Sequence, residues 1–152
     1  MHIAALLFLF SGFCQTGAVA AQGTNKGAPL IIGASVSLSG PAAEQGRNWL
    51  NGATLAAEEL NREGQILLLK VEDDQTNPAR VPGVIRKLVS FDKAQAIIGG
   101  TWDFTSEAAH PVVQQLKIPY VTPSNPPELI DATAKDNPYV FTNGLSLAAT
   151  ES

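Results

Sequence analysis

Cysteine is almost missing from this chain. Its 152 residues hold one, Cys14, inside an N-terminal stretch unlike the rest of the chain. Neither a disulfide framework nor a Cys/His set with metal-ligand spacing is therefore available. HExxH and GxSxG are absent, and so is the glycine-lysine pattern of a phosphate loop. Zinc hydrolysis, elbow-serine chemistry and phosphate cradling lack the residues they need. Basic clusters are absent too. Ten Lys/Arg stand against 14 Asp/Glu, a net charge of −4, which is not the electrostatic footprint of a nucleic-acid binder. The apolar run at 3–10 is too short to span a bilayer. No cofactor is implied, and the expectation is that this is not an enzyme.

The residues that are present begin with a processing signal. Residues 3–10 are apolar, Ser11 and Gly12 come next, and Ala18-Val19-Ala20 makes a small-x-small cleavage site before Ala21. Residues 1–21 are read as a signal peptide, although Met1-His2 supplies no Lys or Arg. Bulky Phe13 just before Cys14 argues against lipid attachment there. With this segment removed the mature chain has no cysteine. It is expected in the periplasm or another extracytoplasmic space, without direct membrane insertion and with a fold that needs no disulfide. Residues 22–29 form a polar, mobile leader. Residues 30–152 are enough for one domain with a sizeable core.

The domain is organised around residues 31–61. An apolar run through Ile32, Val36 and Leu38 predicts a strand. Ser39-Gly40-Pro41 ends it, with Ser39 able to cap a helix and Pro41 suited to its first turn. Gly46, Leu50, Ala53, Ala57 and Leu60 then recur at steps of four and three, one face of a helix. Small residues on that face let the helix lie close to a sheet. Gly64 stops it.

The pattern repeats. Strands are predicted over 66–71, 96–100, 118–122 and 139–142, with helices over 78–91 and 106–116. The near-continuous apolar run at 66–71 suits a parallel sheet covered on both faces. Val81, Ile85, Leu88 and Val89 should face inward from one helix, and Ala109, Val112, Val113 and Leu116 from the other. Pro82 distorts or delays the first of these, and Pro111 kinks the second. Alternating strands and helices predict an α/β fold, a mostly parallel five-stranded sheet flanked by helices. Ligands of such sheets bind beyond the carboxyl ends of the strands. Here that means the loops at 37–42, 72–77, 100–105 and 123–127.

Single residues in those loops carry limited chemistry. Asp73-Asp74 is read as solvated or capping rather than as a metal site. His110, the one histidine of the mature chain, is read as a helix-surface residue. Trp102-Asp103 has two readings: an apolar wall beside a charge, or a tryptophan packed under its own loop with a solvated aspartate.

In order, SLSGPAAEQGRNWLNGATLAAEELN, VEDDQTNPAR, AIIGG, IPYVTPSNPPEL and NPYVF resemble the extracytoplasmic solute-binding proteins of the leucine/isoleucine/valine-binding type. The resemblance covers residues 30–142. It implies a type I periplasmic-binding lobe with flavodoxin-like strand order, here incomplete. Residues 30–152 would be the N-terminal lobe of a two-lobe protein, truncated, with the second lobe absent. The implied function is solute capture for an ABC-type importer by closure of two lobes. The partners are a small-molecule solute and a membrane permease. A ligand-sensing extracellular domain of a signalling receptor is the alternative.

The family's ligand positions carry over onto Ser39, Gln45, Trp102, Asp103, Ser124 and Asn125. Asp103 stands where amino-acid-binding members hold the solute carboxylate with a serine. Trp102 stands at a position often small or cysteine, with Thr76 at its usual partner position. An ionised aspartate about 4 Å from a carboxylate meets a repulsion of about 4 kcal/mol at an effective dielectric near 20. The implied solute is therefore an amino acid or related small polar or amine-bearing molecule, either neutral or bringing an amine to Asp103.

Overall fold

The computed structural model describes residues 27–123 and 137–144. The signal peptide read at 1–21, most of the leader at 22–29, and Ser124 and Asn125 lie outside them. Five strands, β1 (Leu30–Val36), β2 (Leu67–Asp73), β3 (Ala96–Gly99), β4 (Tyr120–Thr122) and β5 (Val140–Thr142), form one sheet. Their order is β2-β1-β3-β4-β5 and every pairing is parallel. The helices are α1 (Ala43–Leu60), α2 (Val81–Ser90), α3 (Asp103–Glu107) and α4 (His110–Leu116). This is the α/β architecture expected from the alternation of apolar periods.

The path from β1 to β2 and the path from β2 to β3 cross the sheet in opposite directions. Right-handed crossovers then put α1 on one face and α2 on the other. The α2 and α4 side holds the core. Ile97 is paired with Tyr120 and Tyr120 with Val140. All three are buried against Val81, Ile85, Leu88, Val112 and Val113. Each fully buried Ile85 or Leu88 side chain contributes about 1.5–3 kcal/mol.

The alternate row of the same strands, Ile98, Val121 and Phe141, faces the α1 side. There α1 packs chiefly on β1 and β2. Phe141 keeps 53% of its surface exposed.

Several local expectations change. Ser39 does not cap α1: the N-cap is Ala42, without a side-chain bond. Pro41 accordingly precedes the helix. On the apolar stripe Gly46 is buried, but Leu60 is 54% exposed. Helix α2 begins at Val81, with Pro82 inside the first turn, where no amide donor is required. Asn77 stands before it, its carboxamide accepting from the Ala79 amide in a turn.

The helix expected over 106–116 is two helices. Pro111 cannot continue the first, so the chain restarts at His110 with proline in the new first turn. The segment expected as loop at 101–105 instead begins α3. Strand β2 runs two residues further than expected, to Asp73, and this extension sets up the site.

Candidate functional site

With all strands parallel, the loops after β1, β2, β3 and β4 emerge on the same edge of the sheet. The first two are bound to each other by two adjacent carboxylates. Asp73 Oδ1 accepts from the amides of Leu38 at 2.9 Å, Ser39 at 3.2 Å and Gln75 at 2.8 Å. Its Oδ2 accepts the Ser39 hydroxyl at 2.7 Å. Partial burial pushes the Asp73 carboxyl up. The hydrogen bonds from Ser39 and from the Gln75 and Leu38 amides outweigh this and hold its pKa below the usual 3.8.

Asp74 is fully buried. Its Oδ1 accepts the Ser37 hydroxyl at 2.7 Å and the Thr76 amide at 2.9 Å. Its Oδ2 has no partner among the described residues. Of the two readings of Asp73-Asp74, capping is the one the structure shows: Asp74 is buried, Asp73 is partly exposed, and both carboxylates clamp loop amides and hydroxyls.

Strain shows what the clamps hold. Gln75 and Thr76 both lie in the left-handed region, at φ 60° and 56°, where a β-branched threonine is an outlier. Each presents its amide to one of the two carboxylates. The Thr76 hydroxyl accepts from the Ala42 amide and donates to the Ser39 carbonyl. Gly40, at φ 80°, fits beneath this turn because a Cβ there would lie 2.7 Å from the Gln75 carbonyl oxygen.

The third loop is tied in from β1, since the Ser37 amide donates to Thr101 Oγ1 at 3.0 Å. Trp102 precedes α3 in extended conformation. Its amide donates to Thr105 Oγ1 and its carbonyl accepts from the same hydroxyl. The half-buried Trp102 ring meets Phe104 edge-on, with centroids 5.6 Å apart and planes at 77°. Phe104 is 41% exposed. Asp103 is exposed in the first turn of α3.

Of the sequence-derived candidates, Ser39, Trp102 and Asp103 thus lie on loops joined through Ser37 and Thr101. Gln45 is exposed on the first turn of α1. A groove of about 430 Å³ lies to one side, between α1 and the sheet. Its walls include Trp49, Ala53, Ile98, Val121, Pro123 and Asn143, and none of the four candidates among the described residues lines it.

His110 is not the surface residue expected. It is half-buried, its ring stands edge-on to Tyr120 at 6.3 Å, and Nε2 is enclosed without a partner among the described residues. Burial lowers its pKa. Tyr120 is buried beside it, and that burial pushes its hydroxyl up to about 12.

Asp73, Asp74, Thr76, Thr101 and Phe104 were not among the candidates. One signal for the first three was available: an aspartate at the end of a strand readily accepts from the amide two residues on. Among the described residues no group of three or more His, Cys, Asp or Glu could hold a metal. Among them, too, no helix is long and apolar enough to cross a membrane.

Known proteins share this architecture. A family described as periplasmic binding protein matches residues 29–150. An amino acid binding protein from Pseudomonas aeruginosa is 30% identical over 127 residues, covering 81% of this chain and 31% of that protein. The branched-chain amino acid transporter substrate binding protein LivJ from Streptococcus pneumoniae, in complex with isoleucine, has a TM-score of 0.70. It is 23% identical and covers 78% of this chain and 34% of that one. A solute binding protein of an ABC transporter from Rhodopseudomonas palustris, in complex with 3,4-dihydroxy benzoic acid, has a TM-score of 0.68. It is 22% identical and covers 79% and 33% of the two chains. The chain spans about a third of the length of these relatives.

Proposed function

The chain belongs to the periplasmic binding protein family, and from that premise we propose that it is one lobe of a solute receptor serving an ABC-type importer. The receptor works outside the cytoplasm and delivers a small solute to a membrane permease. A second lobe closes over the edge of the sheet where the strands end. The observation that carries this reading is that edge: three loops cross-tied by Asp73, Asp74 and Thr101, with an aromatic pair and an acid on the third. Such loops are rigid enough to present fixed polar groups to a ligand.

The solute is a small amine-bearing molecule, an amino acid or a relative of one. Asp103 faces its ammonium group, Trp102 packs on its apolar part, and Ser39 and Gln45 add polar contacts. The amino acid binding protein of Pseudomonas aeruginosa supports the general class. Asp103 supports the amine, because a carboxylate brought to the same place would be repelled.

Calorimetry of the full-length protein against a panel of small amines and carboxylates tests the reading. Asp103→Ser should weaken the best amine about tenfold or more, as expected for a charged hydrogen bond. Unchanged affinity would remove Asp103 from the site.

A further inference from the structure

The direction of the hydrogen bonds around Ser39 constrains the solute more tightly than Asp103 does. A hydroxyl has one proton, and that of Ser39 goes to Asp73 Oδ2 at 2.7 Å. The neighbouring amides are committed in the same inward sense. Those of Leu38 and Ser39 donate to Asp73 Oδ1, that of Ser37 to Thr101 Oγ1, and that of Trp102 to Thr105 Oγ1. What Ser39 Oγ still offers outward is lone pairs.

We propose that Asp73 is a specificity-determining positioning residue: by taking the Ser39 proton it makes Ser39 Oγ, on this wall of the cleft, a hydrogen-bond acceptor, selective at that atom for a donor group of the solute and against a carboxylate. The inference rests on the proposed cleft, and it adds a second acceptor beside Asp103. A carboxylate arriving at Ser39 would meet an oxygen with no proton to give, and could gain one only by breaking the bond to Asp73. An ammonium or amide N–H is received without rearrangement. The hydrogen bonds that hold the Asp73 carboxyl below its ordinary range keep it an acceptor throughout the physiological range.

The isosteric variant Asp73→Asn inverts the polarity. Its Oδ1 can still accept from the Leu38, Ser39 and Gln75 amides. The new Nδ2 must donate to Ser39 Oγ, which turns the Ser39 proton outward.

The test uses nitrogen-labelled full-length protein titrated with propylammonium and with butyrate, which share a three-carbon tail. The Ser39 amide and the Trp102 indole signals are followed. In the wild type propylammonium should bind about tenfold or more tightly than butyrate. Asp73→Asn, with an otherwise unchanged spectrum, should narrow or reverse that preference. Ser39→Ala should weaken propylammonium without improving butyrate. A loss of order in the loop would weaken both probes together, so a reversal cannot arise from a merely structural role.

Butyrate binding at these signals in the wild type, or a preference untouched by Asp73→Asn, overturns the inference and leaves the cleft standing. Uniform weakening of both probes in Asp73→Asn overturns it as well. If neither probe moves either signal in the wild type, the inference and the cleft fail together.

Discussion

Gly46 of α1 lies directly on the backbone of Ser37. A Cβ built on Gly46 would stand 1.9 Å from the Ser37 carbonyl oxygen and 2.7 Å from its carbon. The first helix therefore touches the end of β1 with no side chain between them, and the loop carrying Ser39 is formed at that contact. Gly46→Ala must push the helix away or tilt it. It should cost about 2–3 kcal/mol, as overpacking against immovable backbone does. Gly52, two turns on, has nothing within 4 Å of the same construction. Gly52→Ala should instead stabilise the protein by about 0.5–1 kcal/mol through helix propensity. Chemical denaturation of the two variants reads the opposite signs; equal effects would show that the close contact does not exist in solution.

Ser37→Ala removes the hydroxyl that caps buried Asp74. The carboxyl oxygen left behind has no access to water, so the loss should be about 1–3 kcal/mol. The same change at exposed Ser90 should fall within about 0.5 kcal/mol of zero. Thermal melts of both variants decide it. A mild Ser37→Ala would mean that the Thr76 amide alone satisfies Asp74 Oδ1.

Acid should act in two separate windows. Burial depresses the pKa of His110 below 6.5, so the unfolded chain takes up this proton first. The stabilising contribution of neutral His110 is complete above about pH 6.5 and is lost as pH falls from there through its folded pKa. Asp73 is depressed below 3.8, so its contribution is complete above about pH 3.8 and disappears only as pH falls through its own folded value. Denaturation curves at pH 7.5, 5.5 and 3 should show both steps. His110→Gln should abolish the upper one alone. If it persists in that variant, its origin lies elsewhere.

Among the described residues the apolar row Ile98, Val121 and Phe141 is only partly covered, and β5 is a sheet edge. Residues 22–152 expressed by themselves should be marginally stable and self-associate through this face. Phe141→Lys should reduce the association by adding charge to the exposed edge. Sedimentation velocity measures both. A sharply melting monomer of 22–152 would contradict the expectation.

Much of this was legible in the chain. Alternating apolar periods are a local property, and they identified all five strands, the helix stripes and the parallel order. Pro82 and Pro111 marked where the helices would be disturbed, because a missing amide acts on its own turn. Less legible was whether Pro111 would bend one helix or divide it in two.

The candidate site was read unevenly. Trp102 and Asp103 could be placed on a strand-end loop because glycines end the strand before them. Asp73 and Asp74 looked like ordinary loop acids, since nothing in their immediate neighbours announces that residues 34 to 37 positions earlier will donate to them. His110 looked exposed for the same reason: Tyr120 reaches it from the next strand.

By itself the sequence determined the alternation of elements, the lack of any HExxH, GxSxG or Cys/His pattern, and which loops share the edge where the strands end. These come from periodicity and residue chemistry, which need only near neighbours. Only the tertiary structure decided that two adjacent aspartates clamp the loop after β1, that Gly46 must have no side chain, and in which direction the Ser39 proton points. Those depend on backbone segments brought together by β1 and β2 lying side by side, and such a juxtaposition is a property of the folded sheet.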